Sequence, residues 1–77
     1  MTNFTVRRGC RYRASLRLGL LEQFADNAMI ADKLAAAGFT DVQVTGSGAD
    51  RTAEASWDRD DASAPLPSQV SEIVEVA

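Results

Sequence analysis

The chain has 77 residues, 45% of them apolar, with eight Lys and Arg against eleven Asp and Glu for a formal net charge of −3. This length supports one domain with one small core, and a deep dry active-site cavity is costly in a fold that buries only about 60% of its unfolded surface. The absence of His and the presence of a single Cys remove the commonest general base, the Ser-His and Cys-His dyads, His-containing zinc sites and any disulfide framework.

Residues 1–9 show no clean period and read as a loose lead-in to a single small domain over residues 10–77. Tyr12, Ala14, Leu16 and Leu18 then alternate with Arg11, Arg13, Ser15 and Arg17, the period of two of a half-buried strand. With Arg7 and Arg8, the first seventeen residues carry five arginines and no acid, while the remainder carries three basic and eleven acidic groups, so +5 is followed by −8. A basic arm on an acidic body can bind phosphate or neutralise its own body, and the charge pattern favours the internal use. Cys10 reads as an inert, partly buried thiol because no His accompanies it.

Gly19 punctuates the strand end. Leu20, Leu21, Phe24, Ala28, Ala31, Leu34 and Ala35 follow at spacings of three and four, which predicts an amphipathic helix. Gly38 suits the left-handed position that ends it, with Phe39 turning back against Leu34 in a Schellman cap. Val42 and Val44 oppose Asp41, Gln43 and Thr45 in a second strand. The segment Gly46-Ser-Gly-Ala-Asp50 then predicts a five-residue connection to a third strand, with Ala53, Ala55 and Trp57 inward and Thr52, Glu54 and Ser56 outward. Residues 58–65 read as an exposed loop. Pro67, Val70, Ile73 and Val74 suggest a short final helix, with a β-branched strand over Ile73–Val76 as the alternative.

The resulting order is β-α-β-β-α, an α+β two-layer sandwich related to half of the ferredoxin-like pattern. A three-stranded sheet carries both helices on one face, the first and third strands are parallel neighbours, and the second is antiparallel beyond the third. Its expected core is Leu16, Leu18, Leu21, Phe24, Leu34, Phe39, Val42, Val44, Trp57 and Val70, and Tyr12 also reads as a core position. The open face would present Arg11, Arg13, Ser15 and Arg17 beside Thr52, Glu54 and Ser56. Arginine forks there suit phosphates, carboxylates or sugar hydroxyls, although cross-strand pairing with Glu54 and nearby acids is the favoured reading. No outward aromatic accompanies these arginines, which disfavours nucleic acid. Gly46-Ser-Gly48 reads as a turn rather than a phosphate loop, because no Lys or helix follows. The acids of residues 58–61 lack the glycine and terminal Glu of an EF-hand loop, so no metal ligands are assigned.

The run from Arg11 to Gly19, the Asp32-Lys-Leu-Ala-Ala-Ala-Gly-Phe39 helix end and Val42-Gln-Val44 together resemble the sporulation-related repeat (SPOR) domain over residues 11–57. That resemblance implies a non-catalytic domain whose open sheet face binds denuded peptidoglycan glycan strands, with Arg11, Arg13, Arg17 and Glu54 as contact candidates. From the residues themselves, the leading expectation is a non-enzymatic interaction module that needs no cofactor and uses the Arg-rich face or a sheet edge to hold a protein partner or glycan. The alternative is a structural subunit of a homo-oligomer or larger assembly, such as a virion or envelope complex. No run of 18 apolar residues and no secretory pattern occurs, so membrane insertion is not expected, and the location expected is cytoplasmic or within a larger particle.

Overall fold

A computed structural model describes residues 3–76; the extreme ends of the expected lead-in and final helix, residues 1–2 and 77, lie outside the described residues. The chain forms β1 (Asn3–Val6), β2 (Cys10–Arg17), a 3₁₀ turn (Glu22–Phe24), α1 (Asn27–Ala37), β3 (Thr40–Ser47), β4 (Asp50–Trp57), β5 (Ala62–Pro65) and β6 (Val70–Val76). Four strands make one antiparallel-paired sheet in the order β3-β4-β2-β6, and β1 pairs with β5 in a separate two-stranded ribbon.

The protein is therefore mostly β, and the expected two-helix, three-stranded α+β sandwich is overturned. Asn3–Val6 of the expected lead-in and Ala62–Pro65 of the expected loop satisfy each other's backbone groups as paired strands, and two further causes account for the difference in the main sheet. The first is direction. An α-helix returns the chain to the starting edge, so β3 runs parallel to β2. The tight hairpin then reverses β4, which inserts between them and is antiparallel to both. The parallel pair is thus split by β4, and the first and third strands of the sequence reading are neighbours but not parallel. The second is the free edge of β2. Its backbone groups need partners, and the β-branched run Val70–Val76 supplies them as β6, where a final helix was expected.

Local chemistry sets the boundaries. Asp26 caps α1 by accepting from the Met29 amide at 2.8 Å, so the helix begins there rather than at Leu20. At the other end the Gly38 and Phe39 amides bond back to Ala35 and Leu34, the expected Schellman arrangement. Gly38 has φ 116°, and a Cβ there would meet the Trp57 ring at 3.0 Å, so both the backbone conformation and the close approach require glycine. The β3–β4 connection is shorter than the expected five residues. Gly48, at φ 66°, and Ala49 close it, with only the first central residue at positive φ, as in a type II′ hairpin.

The core is thin. Val6, Tyr12 and Trp57 form its buried cluster, with Phe4, Cys10, Phe39 and Ile73 packed against it. Phe4 meets Tyr12 edge-on at 5.4 Å and Phe39 meets Trp57 at 5.0 Å, the aromatic geometry that ring quadrupoles favour. Leu16, Leu18, Leu34, Val42, Val44 and Val70 of the expected core are half-buried, but Leu21 and Phe24 are 80% and 81% exposed. Their spacing places those two on a helical face that does not exist, because the chain preceding Asp26 is a 3₁₀ turn followed by extended Ala25.

Candidate functional site

The sheet has two chemically distinct faces. On the outer one, the β2–β4 register sets Arg11 opposite Ser56, Arg13 opposite Glu54, Ser15 opposite Thr52 and Arg17 opposite Asp50. The candidate residues Arg11, Arg13, Arg17 and Glu54 thus share one face, since alternation on paired strands leaves them no other choice. Glu54 lies between two of them, 3.4 Å from Arg11 Nε and 3.6 Å from Arg13 Nε. Arg11 Nη1 also donates to the Asp41 carbonyl at 3.1 Å and to Ser56 Oγ at 3.0 Å, and it lies 3.4 Å from the Asp41 carboxylate. Arg17 sits 3.7 Å from Asp50. Three arginines therefore face three carboxylates, and the row has no net charge.

The acids of residues 58–61 are likewise dispersed. Asp58 accepts from Thr40 Oγ1, Asp60 pairs with Arg8, and Asp61 accepts from the Arg8 amide. Among the described residues no three metal-ligating side chains gather in one place.

The inner face differs. α1 lies over β3, and the β1–β5 ribbon stands on the other side, so the floor made by β4, β2 and β6 is left open between them. A groove of about 320 Å³ results, with Ala14, Leu16 and Ile73 in its floor and Leu34, Phe39 and Pro65 in its walls. Among the described residues no charged side chain lines it. Its two hydroxyls are already engaged, Tyr12 Oη with the Arg7 amide at 2.7 Å and Ser63 Oγ with Thr5 at 2.6 Å. The groove continues past Leu16 and Val70 to a second opening bordered by Leu18, Ala25, Met29 and Lys33.

No protein-family model matches the chain, and neither does any curated protein or solved structure. No helix among the described residues is long and apolar enough to cross a membrane.

Beside the second opening stand four large apolar side chains absent from the sequence-derived site: Leu20 at 79% exposure, Leu21 at 80%, Phe24 at 81% and Met29 at 53%. Asp26 was the available signal, because an Asp three residues before Met29 marks a helix start and puts everything ahead of it outside the helix. Polar contacts hold this segment in place. Glu22 accepts from the Gly19 amide at 2.8 Å and from Gln69 Nε2, and the Gln23 carbonyl accepts from Arg51 Nη2 at 3.0 Å.

These hydrogen bonds keep the Glu22 carboxyl below the ordinary carboxylate range, Gln69 being the larger cause. The Arg7 hydrogen bond does the same for Glu75, at 2.7 Å, with Cys10 contributing second. A carboxyl whose folded pKa is depressed stabilises the fold above its unfolded pKa, and the contribution is lost as pH falls through the folded value. The urea midpoint should therefore decline as pH drops below about 4.3, and Glu22→Gln with Glu75→Gln should flatten that part of the profile. An identical acid-side slope in the double variant would contradict the assignment.

Proposed function

We propose that this chain is a non-catalytic interaction module that receives an apolar protein segment in the groove over β4, β2 and β6. The observation that carries the reading is the open 320 Å³ groove, lined without a charged group in a chain too small to leave such surface wet without cost. Water in the opening lies against hydrocarbon, and an apolar occupant would release it. The arginine row suits a ligand less well, because a glycan or polyanion would have to displace Glu54, Asp41 and Asp50 from it. The sheet edges are less suited still. β3 is interrupted between Thr40 and Gln43, with Asp41 at φ 48°, and β6 carries Glu72 and Glu75, features that discourage strand addition.

The test is binding of anilinonaphthalene sulfonate at submicromolar protein concentration, read by dye emission and by energy transfer from Trp57, whose ring lines the groove. Dye should bind the folded protein, and Ala14→Leu, which fills the floor, should weaken it while leaving the far-ultraviolet circular dichroism unchanged. A folded protein that leaves the dye dark would end the proposal, as would equal binding by the Ala14→Leu variant.

A further inference from the structure

We infer that the segment entering the groove is supplied by a second copy of this chain: each protomer of a two-fold dimer inserts Leu20, Leu21 and Phe24 into the groove of the other. The inference rests on the groove reading above and names its partner.

The chain carries both halves of such a contact. Leu20, Leu21 and Phe24 are about four-fifths exposed, in contrast to the half-buried leucines at positions 16, 18 and 34. Their exposure is built rather than incidental, since Glu22, Gln23 and Asn27 tie the opposite side of the segment to Gln69, Arg51 and the Gly46 carbonyl. Those ties also prevent the segment from folding back into its own groove. Met29 belongs to both features, being half-exposed and bordering the second opening. A protrusion beside the recess it would fill is the arrangement that lets one two-fold axis satisfy both copies, and such an isologous contact closes at two rather than growing into a filament.

Area and charge agree. At roughly 100–200 Å² per large apolar side chain, the four exposed residues hide on the order of 400 Å² per copy. The reciprocal groove surface adds about half as much again, giving ~1,200 Å² in total over the two partners, the lower bound of specific, stable interfaces. Two copies bring −3 each, so their net charges repel, and screening by salt should strengthen an association carried by apolar side chains.

Sedimentation velocity on the full chain across a concentration series decides the matter. The wild type should pass from monomer to dimer, with the midpoint moving to lower concentration as sodium chloride is raised. The triple variant Leu20→Ser, Leu21→Ser, Phe24→Ser should, below the concentration at which the wild type dimerises, unfold at the same urea concentration as the wild type, yet need about 100-fold more protein to dimerise. Ala14→Leu should impair dimerisation from the groove side, which keeps the test valid if the triple variant folds poorly. A wild type that stays monomeric but still binds dye would remove the second copy and leave the groove reading standing; a monomer that binds no dye would remove both. A dimer whose midpoint is unchanged in the triple variant and in Ala14→Leu would place the contact elsewhere and overturn the inference.

Discussion

Replacing Trp57 with alanine should cost about 3–5 kcal/mol, the usual range for deleting a buried aromatic ring. In a domain this small that is most of the stability there is to lose, so the variant should be largely unfolded at room temperature. Trp57 is only 7% exposed and joins three separate parts of the molecule. Its ring lies beneath Gly38 at the end of α1, meets Phe39 edge-on at 5.0 Å, and donates from Nε1 to the Asp60 carbonyl at 2.8 Å. Among the described residues Tyr12 is the only other large side chain in the buried core, whose remaining apolar members are Val6 and two alanines. Trp57→Phe separates the contributions. It keeps most of the packing and gives up the hydrogen bond, for an expected loss of about 1 kcal/mol. Urea unfolding followed by circular dichroism measures both, because the only tryptophan is gone in each. A Trp57→Ala protein that unfolds within 1 kcal/mol of wild type, on the scale of ordinary surface changes, would show that the sheet, not this ring, organises the fold.

The two strands flanking the hairpin and the arginine strand were legible because a period of two fixes faces whatever the neighbours turn out to be. Ala53, Ala55 and Trp57 are buried and Thr52, Glu54 and Ser56 are not, as their alternation requires. What alternation does not fix is the direction of a strand, nor which further segment takes a free edge, and there the reading failed. The final strand shows why most clearly. Val70 and Ile73 stand three apart, a helical spacing, yet both face inward, because the register slips between Ser15 and Leu16: Val70 pairs with Leu16 and Ile73 with Ala14. A bulge adds one residue to a strand and so converts a spacing of two into three. Local sequence alone does not separate that from a helix turn. The helix start failed for a different reason. Leu20, Leu21 and Phe24 continue the apolar period of α1 backwards, but the cap at Asp26 breaks its phase, and the side chains that periodicity assigned to the core became the protruding surface. The arginine row was placed together correctly, and one of its acids, Glu54, was visible as a cross-strand neighbour. Asp41 was not, because its approach to Arg11 depends on an irregularity in β3 that no alternation pattern encodes.

Replacing Arg51 with methionine should cost about 2–3 kcal/mol and should also loosen the exposed segment that precedes α1. Arg51 is the one buried charged residue among those described, at 6% exposure, directly opposite Leu16 on the inner face. Its fork reaches three acceptors on three elements: Nε donates to the Gly48 carbonyl at 3.1 Å, Nη1 to Asn27 Oδ1 at 2.8 Å and Nη2 to the Gln23 carbonyl at 3.0 Å. None is a carboxylate, so the guanidinium is held by dipoles alone, and what matters is its geometry rather than a salt bridge. Methionine fills similar space and leaves those acceptors without their donor, whereas lysine keeps the charge but reaches them from a single point. Arg51→Lys should therefore recover less than half of the loss; full recovery would mean that charge, not the planar fork, is what the site requires. Because Gln23 and Asn27 flank Phe24, hydrogen exchange should show Arg51→Met opening residues 20–27 well before global unfolding, and the same variant should raise the concentration needed for dimerisation. Equal protection of that segment in both proteins would show that the contacts of Glu22 with Gln69 and Gly19 suffice to hold the apolar side chains outward.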